Sequence, residues 1–130
     1  MIEWIRSFLS GRTQCTRVNE SCSEYASIVS GVIQGSVLGP LLFLLYINDV
    51  ADIFGSNCVS KLHADDIKLY SLLNNPLDYN DLQSNLNDLQ QWSYKWQLSI
   101  SYKKCNVLYL GSRGQDHMSI YCWLIIECPK

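Results

Sequence analysis

Two adjacent carboxylates, Asp65 and Asp66, are the residues of this chain best suited to chemistry. They follow His63 and Ala64 and lie between two apolar runs, residues 58–62 and 67–73, whose composition favours strands. This order predicts a β-hairpin with the acids at its tip. Neighbouring aspartates repel each other, so they either bind a cation or lie in a solvated turn. The pair alone leaves both interpretations open.

A glycine-containing segment, SGVIQGSVLGP at residues 30–40, lies upstream of the acids and continues into an apolar stretch that ends at Asp49. Gly31 and Gly35 lack side chains, so they predict a loop whose backbone could approach a ligand closely. Ser36 can then cap a helix over residues 37–54. Its apolar part, residues 41–47, is far shorter than the roughly twenty residues of a membrane span, and we interpret it as a buried helix.

The rest of the chain mixes helical and strand patterns. Apolar residues at steps of three, four and seven predict an amphipathic helix over residues 78–96, after a breaker at 74–76. The other expected elements are a helix at 2–9, a hairpin of strands at 13–18 and 25–29, and strands at 99–102 and 106–110. The predicted class is α+β, with helices packed on one face of a small antiparallel sheet.

Composition limits the function. The 130 residues suit one globular domain, since 48% are hydrophobic and 17% charged. A net charge of -2 argues against a free-standing nucleic-acid binder. The six cysteines show no C-x-x-C spacing, so we expect reduced, buried thiols and no zinc site. No secretory signal pattern opens the chain, and a cytoplasmic or nuclear location is expected.

Four sequence motifs follow one another along the chain in a distinctive order. They are WIRSFLSGRTQ at 4–14, SGVIQGSVLGPLLFLLYIND at 30–49, ADD at 64–66, and a W…KC…L…G pattern at 92–111. In order and spacing they resemble the reverse transcriptase of non-LTR (LINE-type) retrotransposons of the jockey/CR1 sort. The resemblance covers about residues 2–114. It divides the chain into a partial reverse transcriptase domain, 1–114, and an unmatched C-terminal tail, 115–130.

The resemblance implies the palm subdomain of an RNA-directed DNA polymerase, a nucleotidyltransferase that uses two Mg²⁺ ions. In the family the first Asp of the motif shares both ions with an Asp from an earlier strand, which assigns Asp65 as a metal ligand and Asp66 as the accessory acid. Lys104 matches a lysine that donates a proton or neutralises charge at the pyrophosphate, although an exposed strand lysine is an equal alternative. Nucleotide or template contacts fall on Gly31, Gln34 and Gly35.

Some positions depart from the family pattern. Ile33 replaces a Pro, Ser101 stands where Asn is usual, and His63 replaces a Phe or Tyr, either as a metal ligand or as a substituted hairpin residue. The strand bearing the other Asp is expected before Trp4, outside these 130 residues. We therefore expect a fragment that carries part of the metal site and is inactive alone. The alternative is a non-catalytic interaction module or a non-functional product of a decayed element.

The implied partners are an RNA or DNA template-primer and a dNTP in the intact enzyme, with no membrane. Because the strand with the second Asp would extend the sheet, we also expect an unpaired edge beside the 58–73 hairpin. Such an edge predicts self-association of the isolated chain. The uncharged, β-prone residues 120–126 add to that hazard.

Overall fold

The structure is a computed structural model that describes residues 1–110 and 118–127. Its helices are α1 (Ile2–Leu9), α2 (Leu38–Tyr46) and α3 (Pro76–Lys95), with 3₁₀ helices at Asn48–Ile53 and Tyr102–Lys104. Its strands are β1 (Thr13–Gln14), β2 (Arg17–Val18), β3 (Ser21–Cys22), β4 (Ala26–Ser27), β5 (Cys58–His63), β6 (Asp66–Leu73), β7 (Ser99–Ile100), β8 (Asn106–Leu110) and β9 (Met118–Glu127). This mixture of helix and sheet agrees with the predicted α+β class.

The main sheet has five strands and is antiparallel throughout. β5 pairs with β6, and β9 pairs along the other edge of β6, from Asp66 opposite Ile125 to Leu73 opposite Met118. On its far side β9 pairs with both β7 and β8. The last described strand, β9, therefore lies inside the sheet, whereas its residues were expected to belong to an unmatched tail in which residues 120–126 are β-prone.

This pairing changes the expectation of an unpaired edge beside the hairpin. β9 pairs with the edge of β6 that was expected to be unpaired, so the expectation was wrong for that strand. Within the described residues of this sheet, the edges without a neighbouring strand are the outer sides of β5, β7 and β8. All five residues of β8 are exposed.

The hydrophobic core lies on one face of the sheet. In β6 the residues Ile67, Leu69, Ser71 and Leu73 are buried, whereas the residues between them are at least partly exposed. The period of two is that of a strand with one covered face. The side chains from the other elements that join this core include Val50, Leu82, Leu89, Trp92, Leu98, Ile120, Cys122 and Ile126. Asp66 and Lys68 therefore belong to the opposite, more open face.

The helix α3 begins two residues earlier than predicted. The Asn75 side chain accepts hydrogen bonds from the backbone N–H groups of Leu77 and Asp78, at 2.9 and 3.2 Å, and the Asp78 carboxylate accepts one from the Asn75 N–H at 3.0 Å. This is a capping box, with Pro76 in the first turn, where a missing N–H costs no helical bond. The segment interpreted as a breaker is thus the helix cap.

The N-terminal elements follow the sequence closely. α1 spans the predicted residues 2–9, Ser10 is its C-cap, and Gly11 follows with a φ of +63°. The predicted hairpin is present as two short ladders, β1 with β4 and β2 with β3. Asn19, with a φ of +54°, makes the turn between the inner strands.

The segment after Ser36 differs from its prediction. Instead of one helix over 37–54, α2 ends at Tyr46 and a 3₁₀ helix follows. The prediction that this helix is buried was also wrong. Gly39 is the residue of α2 that is buried, whereas Leu41 and Leu45 are 54% and 65% exposed. A helix that is apolar all round needs cover on every side, and the described elements cover α2 only in part.

Val37, and not Ser36 as predicted, is the N-cap residue of α2, and Ser36 contacts the first turn of the helix from one position further out. The Ser36 hydroxyl oxygen accepts a hydrogen bond from the Gly39 N–H at 3.0 Å. Neither α2 nor any other helix in the described part of the chain has the length and hydropathy needed to cross a bilayer.

The cysteines divide into two groups. Cys58 and Cys122 are buried free thiols, as predicted, and burial raises the pKa of both, so each stays protonated. Cys15 and Cys22 are exposed, so the prediction of buried thiols was wrong for them. Cys105 is intermediate, and Cys128 lies outside the described residues.

Asn85 connects α3 to the loop that precedes β5. It is 6% exposed; its amide donates to the Asp81 carbonyl at 2.8 Å, and its Oδ1 accepts from the Gly55 N–H at 2.8 Å. In Asn85→Ala the Gly55 N–H loses its acceptor, and we expect the free energy of unfolding to fall by about 1–3 kcal/mol. Urea denaturation would measure it. Asn87→Ala, at an exposed position of the same helix, is the control, and an equal loss in both variants would contradict the prediction.

Candidate functional site

The acidic pair lies at the tip of a tight hairpin. β5 ends at His63 and β6 begins at Asp66, and these two residues are register partners. The loop between them is therefore Ala64 and Asp65, the length of the shortest common hairpin connections. Ala64 has a φ of +51°, a left-handed conformation that costs free energy for a residue with a Cβ. The tip thus holds a strained backbone where the acids are presented.

The end of β9 holds this tip in place. The Ile126 N–H donates to the Asp65 carbonyl oxygen at 2.9 Å, and Ile125 is the register partner of Asp66. The Asp65 residue is exposed and Asp66 is half-buried. The sheet therefore fixes the backbone of both aspartates, and Asp65 is exposed to solvent.

The pair supplies carboxylate oxygens, the type of donor that Mg²⁺ prefers. Mg²⁺ is usually bound through one or two carboxylates, with waters and substrate phosphates completing its coordination. Within residues 1–110 and 118–127, no group of three or more His, Cys, Asp and Glu side chains is placed to hold a metal ion. Two hard oxygen donors at a rigid turn are suited to one arm of a larger site.

His63 lies directly across the hairpin from Asp66. Side chains of such cross-strand partners are neighbours on one face. The structure therefore places His63 beside the acidic pair, and both of its sequence interpretations stay predictions.

Charge repulsion within the pair gives a testable stability effect. Replacing Asp66 with Asn removes one of two adjacent negative charges, and we expect thermal stability to stay unchanged or to rise, by less than about 1 kcal/mol. A thermal melt at low ionic strength, without divalent cations, would measure it. Asp88→Asn, on the exposed side of α3, is the control. A clear fall in melting temperature for Asp66→Asn alone would show that Asp66 has a structural partner.

The second group of predicted residues lies in the loop before α2. Gly31 and Gly35 have φ values of +73° and +78°, and no atom lies within 4 Å of where a Cβ would stand on either. The left-handed backbone, and not crowding, is therefore what requires glycine there. The Ser36 N–H donates to the Ile33 carbonyl at 3.3 Å and closes a turn with Gln34 and Gly35 at its centre. Gln34 is exposed at this turn.

Gly39 is a residue that sequence reasoning missed. A Cβ on it would stand 2.7 Å from the Ile33 carbonyl oxygen and 2.8 Å from the Ser36 hydroxyl oxygen. Its missing side chain lets the first turn of α2 contact the loop directly. A glycine in the first turn of a predicted helix was the available signal, because glycine weakens helices and needs a packing reason there.

Asp49 was missed as well. Its carboxylate accepts a hydrogen bond from the Trp92 indole N–H at 2.9 Å, and this bond joins the 3₁₀ helix at Asn48–Ile53 to α3. Asp49 therefore has a structural partner far along the chain. No local pattern could have indicated that pairing.

Lys104 lies on the 3₁₀ helix at Tyr102–Lys104 and not on a strand, so the strand alternative predicted for it was wrong in that respect. It is exposed. The Ser101 N–H donates to the Ile125 carbonyl at 2.8 Å, and Ile125 is the register partner of Asp66. The backbone of Ser101 is thus about two strand spacings, roughly 10 Å, from that of Asp66. The structure brings the lysine's helix and the acids to the same end of the sheet.

The loop that contains Gly31 and Gly35 is held by other contacts than those that hold the hairpin tip. This loop bonds to Arg12 and to the first turn of α2, whereas the hairpin tip bonds to β9. A cavity of about 420 Å³, lined in part by Asn57, Tyr70 and Asp78, lies at the end of the hairpin remote from the acids.

Comparison with known proteins gives a consistent result. The profile of the family "Reverse transcriptase (RNA-dependent DNA polymerase)" matches residues 1–123. The "RNA-directed DNA polymerase from mobile element jockey" of Drosophila funebris is 33% identical over 115 residues, which are 81% of this chain and 12% of that protein. The "Probable RNA-directed DNA polymerase from transposon X-element" of Drosophila melanogaster is 30% identical over 107 residues, 78% of this chain and 12% of that protein.

A solved structure, "Cs H-NOX mutant with unnatural amino acid 4-cyano-L-phenylalanine at site 5", superposes with a TM-score of 0.36 and 12% identity. The superposition covers 98% of this chain and 55% of that one. A likeness this low carries no argument about fold or function.

The chain belongs to the reverse transcriptase (RNA-dependent DNA polymerase) family. More narrowly, it is homologous to the RNA-directed DNA polymerases of the jockey and X-element non-LTR retrotransposons, as its motifs indicated. It spans about an eighth of the length of these relatives, 12% in each comparison given above.

Proposed function

We propose that this chain forms part of the palm of a retrotransposon RNA-directed DNA polymerase and carries one arm of its two-metal nucleotidyl-transfer site. The observation that carries the proposal is the acidic pair at the tip of the β5–β6 hairpin, within the 123 residues that match the family. In this hairpin β5 pairs with β6, and β6 also pairs with β9 on its other side. A hairpin held in this way is a stiff support for metal ligands.

The proposed roles follow from where the residues lie. Asp65, exposed at the tip, is the proposed shared ligand of two Mg²⁺ ions, and Asp66 is the accessory acid. When bound, such ions lower the pKa of an attacking hydroxyl and neutralise a triphosphate. Lys104, at the same end of the sheet, brings positive charge toward the leaving pyrophosphate.

The glycine loop has the complementary role. Gly31, Gln34 and Gly35 are exposed and present backbone without bulky side chains, which suits close contact with a dNTP or a template strand. In the intact polymerase the substrates are a dNTP and a template-primer. Because the net charge of the chain is -2, it carries little of the positive charge that binding to a phosphate backbone needs, and we propose that most of the nucleic-acid-binding surface of the intact polymerase lies outside these residues.

A chimera tests this function directly. The matching segment of the Drosophila funebris jockey polymerase is replaced by the aligned residues of this chain, and primer extension on an RNA template is measured with Mg²⁺. We expect extension, and a loss of about a thousandfold or more in Asp65→Ala, as for other groups that stabilise transition-state charge. Asp88→Ala is the matched control. A chimera that folds but never extends would favour the non-catalytic alternative.

The 130-residue polypeptide itself should not extend a primer with Mg²⁺ or Mn²⁺. Among the described residues no group of three or more His, Cys, Asp and Glu side chains is placed to hold a metal ion, and in the proposed site the two ions also need the Asp of an earlier strand. Extension above background that disappears in Asp65→Ala would contradict the proposal of a partial site.

We further propose that the isolated chain self-associates. Leu41, Leu44 and Leu45 on α2 are between 48% and 65% exposed, and the four apolar residues of β8 are also exposed along an edge without a neighbouring strand in the described sheet. Exposed apolar surface and unpaired edges both promote association between chains.

A further inference from the structure

Arg12 contacts the glycine loop, which we define as residues 30–36. Its Nε donates to the Leu9 carbonyl at 2.8 Å, and its Nη2 donates to the carbonyls of Gly31, at 2.8 Å, and Ser30, at 3.4 Å. Leu9 is the last residue of α1. One guanidinium therefore joins the end of a helix to the start of the loop.

These partners are backbone oxygens and not acids. By contrast, the nearby Arg6 pairs with an acid, the Glu3 carboxylate, at 3.1 Å. A guanidinium holds five N–H donors in a rigid plane, so it can serve several carbonyls at fixed angles. The Leu9 carbonyl is at a helix C-terminus, where unpaired carbonyls carry partial negative charge and attract cations.

Arg12 is itself held in place. Its own carbonyl accepts a hydrogen bond from the Ile28 N–H at 2.9 Å, which extends the pairing of β1 with β4. The residue is half-buried. Both its backbone and its side chain are thus fixed relative to the loop that follows Ile28.

The loop needs such support because of its glycines. Glycine has more backbone freedom to lose than any other residue, and Gly31 and Gly35 both adopt positive φ. We infer that Arg12 is a positioning residue, which selects one backbone conformation of the glycine loop by holding the carbonyls of Ser30 and Gly31. Its effect on substrate rests on the proposed function, in which that loop contacts the nucleotide.

Hydrogen exchange on the full chain tests the inference. In Arg12→Ala and Arg12→Lys we expect amide exchange in residues 30–36 to accelerate by about tenfold or more, since a charge-assisted bond is lost and a single ammonium cannot span the carbonyls. Exchange in α3 and in the 58–73 hairpin should stay unchanged, which shows that the variants fold. Arg17→Ala is the matched control, because Arg17 is exposed and its guanidinium donates to the Asn19 carbonyl of its own hairpin, at 3.1 Å.

Chemical rescue adds a readout that general destabilisation would not give. Methylguanidinium should restore slow exchange in Arg12→Ala, where it can occupy the vacated space, and should not restore it in Arg12→Lys. Unchanged exchange in residues 30–36 of both variants, or equal rescue of both, would overturn the role of Arg12.

Binding of a fluorescent dATP analogue with Mg²⁺, measured on the same proteins, separates this inference from the proposed function. Binding that weakens about tenfold in both Arg12 variants, and returns with methylguanidinium in Arg12→Ala, supports positioning of the loop for nucleotide. Faster exchange with unchanged binding would overturn the link between the loop and the nucleotide. If the wild-type chain binds no analogue, the exchange rates alone decide on Arg12, and primer extension by the chimera decides on the proposed function.

Discussion

A chain truncated after Gly114 should fail to fold. The cut removes β9, which pairs with β6, β7 and β8, and which contributes Ile120, Cys122 and Ile126 to the core. Without it β6 loses one neighbour and β7 and β8 lose the neighbour that joins them to the sheet. A two-stranded hairpin is marginal in water, so the remaining β5–β6 pair would rely on packing against α3 and the 3₁₀ helix at Asn48–Ile53. We expect the far-UV circular dichroism signal of the truncated chain to show no cooperative transition on heating.

The control for this experiment is a chain truncated after Cys128, which keeps β9. It should melt like the full chain. Size-exclusion chromatography of all three proteins adds the oligomeric state. A monodisperse, cooperatively melting chain that ends at Gly114 would show that residues 118–127 are not an integral part of the sheet. That result would also support the first expectation for residues 120–126, namely that they promote aggregation.

Elements with local signals were predicted well. The helix α1, the hairpin β5–β6 and the helix α3 each have apolar periodicity and end signals within their own residues. The central position of β9 could not be predicted in this way. Its sequence shows only that it favours a strand, and its place between β6 and β8 depends on partners far along the chain.

Burial was harder to predict than secondary structure. The apolar run of α2 predicts a buried helix, yet what covers a helix is decided by tertiary packing and not by its own composition. The candidate site shows the same limit. Asp65 and Gly31 follow from motifs, whereas Arg12, Gly39 and Asp49 act through contacts with residues that are distant in sequence.

Replacing Leu69 with Ala should cost the fold about 2–5 kcal/mol, because it removes a buried side chain and leaves a cavity. Leu69 is 1% exposed, and it lies opposite Ser60 on β5 and Cys122 on β9. Domains of this size are stable by only about 5–15 kcal/mol, so the loss is a large fraction of the total. The free energy of unfolding from urea titration would measure it.

Leu72→Ala is the matched control, on the same strand but the opposite face. Leu72 is 62% exposed, so its truncation should change stability by less than about 0.5 kcal/mol. The contrast between the two leucines tests the orientation of β6, because Leu72 shares its face with Asp66 and Lys68. A one-residue shift of β6 would exchange the two faces and reverse the result. A large loss at Leu72 and a small one at Leu69 would therefore place Asp66 on the core side, where a metal ligand could not meet solvent or substrate.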